Sequence, residues 1–472
     1  MTPTLQAPAE RQTPARPQHL VEHKGEETSN HLRHDLVETE PTCMRTRTPS
    51  MAVLHRSAGS YHYTPEGRKL ADFTSGVLVA NLGHNPKRWW KRIMEYMALE
   101  DACGESGFHM GVTLTSYNAV TEIELEASRR LLANLQAAPG GARLEQVLWA
   151  ASGSEAVQKG LWAGLAKRPQ GDGIILATRG GFHGKKGLSG AVTGSETDKE
   201  RDPRVRFISF PKEECRSLEA RKEPLDLAPY RAELEALKAE FGDRLCVLIT
   251  EPYLGGGGSY HPQKEYMQML AQFCQENDLL FFLDEVQANF GRTGSMYAYS
   301  EYGIEPDLVA LGKGLGNGMP VDAVAGRADV FARMGFGDGS DTWSGHPLGC
   351  AAVLATLDEF EQTDVLEQGR RLSAAIEECL VKLNALPAIK YVRGEGTVWG
   401  IECQPVGDMT AEEVAHEIVR LCYLGDEEER GVHLLGPLAG KVIRVAPPLN
   451  MPVAELREYF EVMHRIAARV GR

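Results

Sequence analysis

A single lysine flanked by glycines follows a short apolar run at Leu308–Leu311. The run predicts a buried strand that delivers Lys313 into the glycine-rich loop 312–318, where backbone and ligand can approach closely. Burial would lower the pKa of this amine and make it nucleophilic. The spacing is not that of a P-loop. Taken alone, Lys313 is equally compatible with an ordinary solvated charge.

Two acidic residues follow a second apolar run. Residues 281–283 are Phe-Phe-Leu, and Asp284 and Glu285 come directly after them. Acids at the carboxyl end of a strand lie where open α/β sheets bind ligands. Capping of the following turn by Asp284 explains the motif equally well.

Two further motifs join strands to helices or loops. Residues 151–156, Ala-Ser-Gly-Ser-Glu-Ala, have the form of a phosphate site at a helix N-terminus, although Ser154 as an ordinary N-cap is the simpler interpretation. Residues 180–186 place Phe182 among glycines, where a flat ligand could stack on it or where it could pack in the core. The four motifs together supply an anion cradle, an aromatic plate, a carboxylate and a lysine. Pyridoxal 5′-phosphate requires this set, because its ring acts as an electron sink when a carboxylate keeps the pyridine nitrogen protonated.

These residues must be positioned by a sheet buried on both faces. Between about 145 and 330, apolar runs alternate with amphipathic helical patterns, which favours an α/β domain with a mostly parallel sheet. The predicted strands are Gln146–Ala150, Gly173–Thr178, Val205–Ser209, Leu245–Thr250, Leu279–Leu283, Leu308–Leu311 and Ala323–Ala325, and two of the predicted helices are Ser154–Lys167 and Lys264–Gln275.

The rest of the chain has a different organisation. Residues 1–50 are polar and rich in proline, and we predict a disordered tail there. Residues 51–95 are predicted to be an N-terminal segment of a small domain, 96–345 a large domain that binds the cofactor, and 346–472 a C-terminal small α+β domain. Its predicted elements are Pro347–Glu361, Arg370–Leu386, Ile389–Arg393, Val398–Cys403, Val432–Leu435, Val442–Val445 and Ala454–Ala468.

Composition excludes several classes of function. The formal net charge of −14 argues against a nucleic-acid partner, which basic patches would recognise. No apolar run approaches the ~20 residues of a membrane span. The nine cysteines are scattered without a CxxC pair, so we expect reduced thiols, no metal site and a cytoplasmic protein.

The sequence resembles the class III, or ω-amino-acid, aminotransferases of PLP fold type I over about residues 60–465. The resemblance rests on residues 283–294, Leu-Asp-Glu-Val-Gln-Ala-Asn-Phe-Gly-Arg-Thr-Gly, and on Gly312-Lys313-Gly314, with Lys313 lying 29 positions after Asp284. It implies an α/β fold with a large, mostly parallel sheet flanked by helices, a smaller α+β domain, and a homodimer with shared active sites.

The resemblance also implies roles for individual residues. Lys313 would form the Schiff base of an internal aldimine and then transfer protons, and Asp284 would pair with the pyridinium nitrogen. The remaining implied contacts are Gly153 and Ser154 to the phosphate, Phe182 and Val286 to the ring faces, Gln287 to the ring 3′-oxygen, Glu251 and His183 near the ring, Thr342 to the phosphate of the neighbouring subunit's cofactor, Arg444 to a substrate carboxylate, and Lys185 and Val77 to the substrate pocket.

Two departures from the family pattern concern the substrate. Members acting on 4-aminobutyrate or ornithine have an arginine where this chain has Lys185, and a glutamate that gates the substrate arginine where it has Gly256. A lysine lacks the planar fork of a guanidinium, and Arg444 would lack its gate. The departures favour an ω-amine or ω-amino-acid donor with a pyruvate-like acceptor in a ping-pong reaction.

Three alternatives remain open at this point. The chain could catalyse another class III reaction, as a decarboxylating transaminase, an aminomutase or a phospho-lyase, because a fold does not fix the reaction. It could be a binding protein that has lost catalysis, which the presence of Lys313, Asp284 and Gln287 disfavours. A nucleotide-binding dehydrogenase is disfavoured because no G-x-G-x-x-G follows a strand.

Overall fold

The computed structural model describes residues 20–44, 46, 48–102, 107–117 and 119–471. Its strands are β1 Arg56–Ala58, β2 Tyr61–Tyr63, β3 Lys69–Asp72, β4 Gln146–Ala150, β5 Ile174–Thr178, β6 Val205–Ile208, β7 Leu245–Thr250, β8 Leu280–Asp284, β9 Leu308–Leu311, β10 Asp322–Gly326, β11 Ile389–Glu395, β12 Val398–Cys403, β13 Gly431–His433 and β14 Val442–Val445. Its α-helices are α1 Glu27–Thr39, α2 Ser75–Leu78, α3 Lys87–Tyr96, α4 Glu122–Ala137, α5 Gly153–Leu165, α6 Gly187–Ala191, α7 Ala228–Phe241, α8 Lys264–Glu276, α9 Ala298–Tyr302, α10 Ala328–Phe331, α11 Pro347–Gln362, α12 Val365–Leu383, α13 Ala411–Leu424 and α14 Val453–Ala467.

The central sheet has the strand order β4-β10-β9-β8-β7-β5-β6. The neighbours from β9 to β6 pair in parallel, whereas β10 is antiparallel to both β4 and β9. Alternate residues of β8 enter two different apolar clusters: Phe281 and Leu283 pack with residues of α4, α8 and α11, and Leu280 and Phe282 pack with residues of α5. Since a strand directs successive side chains to opposite faces, helices cover both faces of the sheet. The predicted α/β fold is therefore confirmed.

The predicted elements agree closely with the observed ones. Strands β4, β7, β9, β12 and β14 have the predicted bounds. Among the predicted helices the largest shift is in α12, which spans Val365–Leu383 where Arg370–Leu386 was predicted. Helices α3, α4 and α13 were not predicted. None of the helices in the described residues is both long and apolar enough to cross a membrane.

Two smaller sheets accompany the central one. Strands β11, β12 and β14 form an antiparallel sheet against α12, α13 and α14, which share one apolar core. Strands β1, β2, β3 and β13 form the other, and β13 pairs in parallel with β3. The N-terminal segment thus shares a sheet with the C-terminal part of the chain.

The prediction of a disordered tail over residues 1–50 is wrong where helix α1 lies. Arg33 of this helix is 1% exposed and bonds to Glu26 (2.7 Å), to the Tyr423 hydroxyl (3.1 Å) and to the Met51 carbonyl (2.9 Å). Arg68 also pairs with Glu26. Composition missed the helix because a buried ionic network holds it, whereas apolar contacts contribute little. Residues 1–19, 45 and 47 lie outside the described residues.

Arg292 joins three parts of the chain. Its side chain is fully buried, and its guanidinium donates to Asn81 (2.5 Å) and Ser75 (3.1 Å) of the N-terminal segment. It also donates to the Pro447 carbonyl (2.7 Å) and the Thr397 hydroxyl (3.0 Å) of the C-terminal part. Burial lowers the pKa of Arg292 to about 10, which leaves it charged at neutral pH. These bonds fix the N-terminal segment against the loop that follows β8.

Replacement of Arg33 by methionine tests the anchoring of α1. The variant should unfold with a free energy lowered by about 2 kcal/mol, which is below the usual cost of breaking a buried ion pair because Arg68 still neutralises Glu26. Residues 27–39 should be cut earlier in limited proteolysis. The exposed Glu38→Gln on the same helix is the matched control. Equal stability and equal cleavage of the two variants would contradict the anchoring.

Candidate active site

The predicted site residues meet at one edge of the central sheet. Asp284 ends β8, Glu251 follows β7, and Lys313 lies two residues after β9. Phe182 and His183 follow β5 by a short turn. Because β5, β7, β8 and β9 run in parallel, their carboxyl ends lie together, at the place where such sheets bind ligands.

Asp284 is held by two hydrogen bonds that orient its carboxylate. The His183 ring donates from Nδ1 to Oδ2 at 2.7 Å, and the Val286 amide donates to Oδ1 at 3.1 Å. Both side chains are buried, and His183 Nε2 has no hydrogen-bond partner within the described residues. An oriented, buried carboxylate of this kind suits a cationic ring nitrogen.

Lys313 begins a short 3₁₀ turn in the left-handed region, with φ of 46°. Burial is the main cause that lowers the pKa of its amine, and the nearby charge of Arg444 acts in the same direction against Asp284, Asp322 and Glu251. A lowered pKa increases the fraction of neutral amine, which is the nucleophilic form.

The cradle at the start of α5 differs from the simpler interpretation of its motif. Ser152, and not Ser154, is the N-cap, and its hydroxyl accepts from the Glu155 amide at 3.3 Å. Gly153 and Ser154 therefore occupy the first helical turn, where backbone N–H groups have no partner in the helix. A Cβ on Gly184 would lie 2.6 Å from Ser154 Oγ, so this loop closes tightly on the cradle. The arrangement favours an anion.

Val286 and Gln287 continue the site beyond Asp284. A Cβ on Gly153 would lie 2.8 Å from Val286 Cγ1, which places this side chain beside the cradle. Gln287 accepts through Oε1 from the Tyr253 hydroxyl at 3.1 Å. Tyr253 was missed by the sequence analysis, although it comes directly after the Glu-Pro pair at 251–252.

Glu251 organises the loops around these residues. Its carboxylate accepts from the amides of Phe182 (2.9 Å) and Gly255 (3.2 Å). Burial raises the pKa of Glu251 to about 7, and the charge of Asp284 contributes in the same direction. The Phe182 side chain is 46% exposed, which leaves its ring available as a stacking surface.

Arg444 is a buried guanidinium without a carboxylate partner in the described part of the chain. It is 4% exposed and donates only to the Gly255 carbonyl, at 3.2 Å. Its Nε and Nη1 have no hydrogen-bond partner. Burial lowers the pKa of Arg444, while Tyr253 and Glu251 act against that shift. Two unsatisfied donors on a buried cation form a receptor for an anion.

Three predicted residues lie at the surface. Lys185 and Thr342 are exposed, and Val77 is 45% exposed with φ of 70°. Thr342 follows Asp341, which pairs with Lys159 of α5 at 2.6 Å, so its loop is tied to the helix of the cradle. Within the described residues, none of the three forms a hydrogen bond or ion pair with Lys313 or Asp284.

Asp322 is a further acid at the site. It begins β10, is 7% exposed, and its Oδ1 would lie 1.8 Å from a Cβ on Gly312 and 3.5 Å from one on Gly153. Burial raises the pKa of Asp322 to about 7, and the charges of Asp284 and Glu155 add to the rise. The sequence analysis missed Asp322, because its only signal is an acidic residue directly before an apolar run.

Comparisons with known proteins agree with this site. The model of the family "Aminotransferase class-III" matches residues 42–467. The 5-aminovalerate aminotransferase of Pseudomonas aeruginosa is 30% identical over 87% of this chain and 92% of its own. The omega-aminotransferase of Caulobacter vibrioides is 30% identical over 89% and 94%, and the acetylornithine aminotransferase of Gloeobacter violaceus is 29% identical over 91% and 97%.

A solved structure has the same fold. The ornithine aminotransferase of Toxoplasma gondii, which has pyridoxal phosphate at partial occupancy in its active site, superposes with a TM-score of 0.77 at 22% identity. The match covers 94% of this chain and 96% of that chain. With the matched family model, the relatives and the strand-end site, the chain belongs to the class-III aminotransferases, enzymes of transamination whose cofactor is pyridoxal phosphate.

Proposed function

We propose that this transaminase transfers an amino group from an ω-amine or ω-amino acid to a small oxo acid in a ping-pong reaction. The observation that carries the proposal is the buried Arg444, whose Nε and Nη1 have no hydrogen-bond partner among the described residues. A carboxylate on the amino acid or oxo acid would satisfy them. The names of two relatives, a 5-aminovalerate aminotransferase and an omega-aminotransferase, support a donor of this class.

The described residues fit the cofactor. We assign the phosphate to the free N–H groups at Gly153 and Ser154, and the ring nitrogen to Asp284, with His183 holding that carboxylate. Phe182 and Val286 would cover the ring faces. When bound, pyridoxal phosphate supplies the electron sink that makes the α-proton of the donor acidic.

Gln287, Glu251 and Thr342 would complete the surroundings of the cofactor. Gln287 would donate to the ring oxygen through its Nε2, since its Oε1 accepts from Tyr253. Glu251 supports that region by holding the Phe182 and Gly255 amides. Thr342 would reach the cofactor phosphate of the second subunit.

Lys313 holds the cofactor and then carries the proton. Its partly buried amine would be the nucleophile that holds the cofactor covalently, and once released it would be the base that removes the proton from the donor carbon that bears the amino group. Burial and Arg444 keep a fraction of this amine neutral, as base catalysis requires.

No carboxylate of the described part of the chain lies within ion-pair distance of Arg444. A Cβ on Gly256 would lie 2.9 Å from Phe182 Cβ, so a larger side chain at 256 would require Phe182 to move. Lys185 adds an exposed positive charge after Phe182, and Val77 provides an apolar wall. This combination favours substrates with one carboxylate and allows a broad range of amino donors.

A homodimer in the cytoplasm completes the proposal. The chain has large apolar side chains that are exposed in one copy, as the surface of a subunit interface would be. They include Phe108, Met110, Leu114, Tyr117, Val120, Phe336 and Trp343. A second copy that covers them would also bring Thr342 to the neighbouring site.

The first prediction concerns Lys313. The purified protein should be yellow, and borohydride should fix the cofactor on Lys313, as read by mass spectrometry. Lys313→Ala should lose this label, and its transamination rate should fall by about 10³-fold or more because the nucleophile and the proton carrier are both removed. The exposed Lys186→Ala is the control. Full activity of Lys313→Ala would exclude the assigned role.

The second prediction concerns the donor. Conversion of the cofactor to its amine form should occur with 5-aminovalerate alone, without release of CO₂ or phosphate. Arg444→Gln should raise KM for 5-aminovalerate by about 10- to 100-fold, because a charge-assisted hydrogen bond to the carboxylate is lost. The KM for pentylamine, which has no carboxylate, should stay nearly unchanged. Arg371→Gln, on the surface of α12, serves as the control. Equal losses for the two donors would contradict carboxylate recognition by Arg444.

The acceptor is tested with the same proteins. Pyruvate should be a better acceptor than 2-oxoglutarate, because a single point charge at Lys185 does not offer a bidentate site for a second carboxylate. Lys185→Arg should shift the ratio of kcat/KM toward 2-oxoglutarate. A preference for 2-oxoglutarate in the unmodified protein would overturn this part of the proposal.

A further prediction uses the raised pKa of Asp322. Because the folded-state pKa, about 7, lies above the ordinary value near 4, the folded protein binds this proton more tightly, and stability is lost as pH rises through that interval. Asp322→Asn should therefore gain Tm relative to the unmodified protein between pH 5 and pH 8. Glu251 and Glu285 titrate in both proteins, so the change of this difference with pH reports Asp322 together with its coupling to Lys313. A constant difference across this range would contradict the raised pKa.

A further inference from the structure

A cluster of two histidines and one aspartate lies in the small N-terminal sheet. His62 is in β2, Asp72 ends β3, and His84 lies in the loop before α3. Asp72 Oδ2 is 2.7 Å from His84 Nε2 and 3.6 Å from His62 Nε2, and all three ligand atoms lie within 4.8 Å of one another. His62 and Asp72 are buried, whereas the His84 side chain is 15% exposed and provides a path to solvent.

Neighbouring groups orient the three side chains toward a common point. The other oxygen of Asp72, Oδ1, accepts from the amide (2.8 Å) and hydroxyl (2.6 Å) of Thr74, which leaves Oδ2 to the histidines. The Nδ1 of His62 is bonded to Ser57 Oγ at 2.7 Å. Its Nε2 is buried and has no hydrogen-bond partner among the described residues. Hydrogen bonds to the distal nitrogen of a histidine are typical of metal ligands.

Asp72 has only histidines as possible cationic partners among the described residues. It is fully buried, and no lysine or arginine of the described residues lies within ion-pair distance of it. A metal ion bound between Asp72 and the two histidines would supply positive charge at this buried carboxylate.

We propose that His62, Asp72 and His84 bind a zinc ion through two imidazole nitrogens and one carboxylate oxygen, with a water molecule as the fourth ligand. Zinc bonds of 2.0–2.2 Å in a tetrahedron require ligand atoms about 3.3 Å apart. The 3.6 Å between His62 Nε2 and Asp72 Oδ2 meets this requirement. The 2.7 Å contact of His84 must lengthen by about 0.6 Å, which replaces one hydrogen bond by a metal bond.

The ion would fix a strained segment. Ser75, Gly76, Val77 and Leu78 all have φ between 47° and 70°, a left-handed run that non-glycine residues rarely adopt. Asp72 precedes this run and His84 follows it, so a metal bound to both would join the two ends. Bound zinc is therefore expected to protect residues 72–84 from proteolysis.

The test is equilibrium dialysis of the full-length, cofactor-loaded enzyme against Zn²⁺ alone after treatment with EDTA. We expect about one tightly bound zinc per chain, a higher Tm with zinc, and slower cleavage within residues 72–84. Asp72→Asn and His84→Gln should each abolish the tight site. Ser57→Ala keeps all three ligands and should weaken binding by about 10-fold through loss of the outer hydrogen bond.

His31→Asn, in the exposed His31–Asp35 pair of α1, is the matched control and should leave zinc binding unchanged. Absence of stoichiometric zinc in the unmodified enzyme would overturn the proposal, as would equal binding by Asp72→Asn. If the variants fold poorly, X-ray absorption of the zinc-loaded unmodified enzyme decides. Two imidazole ligands support the site, and a shell of water or sulfur ligands refutes it. Every readout is independent of transaminase activity.

Discussion

The guanidinium of Arg292 bonds to Asn81 and Ser75 on one side and to Thr397 and Pro447 on the other, and the position of residues 75–81 depends on these bonds. Arg292 follows β8 by a short loop. The strand that carries Asp284 is therefore linked through Arg292 to the N-terminal segment and to the C-terminal part of the chain. A buried arginine is costly to dehydrate unless its N–H groups are satisfied. Carbonyl, amide and hydroxyl oxygens satisfy most of them, which makes the junction geometrically specific without requiring a buried counter-charge.

Several buried carboxyl groups lie close together at the edge of the central sheet, among apolar side chains. Burial raises the pKa of Glu285 to about 8, and its carboxylate accepts from the amides of Ala298 and Tyr299 at 2.8 and 2.7 Å. Glu251 and Asp322 are shifted in the same direction. Clusters of groups with strongly shifted pKa values are typical of functional sites. Such groups are retained for catalysis although their burial lowers the stability of the fold.

Local sequence was sufficient for the elements that are held by apolar burial. Strands β7 and β9 are continuous apolar runs, and the motifs around Lys313 and Asp284 lie directly after such runs, so both could be predicted. The roles of polar groups whose partners are distant in the sequence could not be predicted. Helix α1 depends on Arg33 meeting Tyr423, nearly the length of the chain away, and Asp322 becomes part of the site only because β10 pairs beside β9. Likewise, the spacing of His62, Asp72 and His84 matches no motif, because folding of β2 against β3 creates the cluster.

The contact between Gly312 and Asp322 couples these two positions in evolution. Because a Cβ at 312 would lie 1.8 Å from Asp322 Oδ1, alanine at 312 requires the Asp322 side chain to move or to be replaced by a smaller one. Residues 312 and 322 are therefore expected to covary among related enzymes.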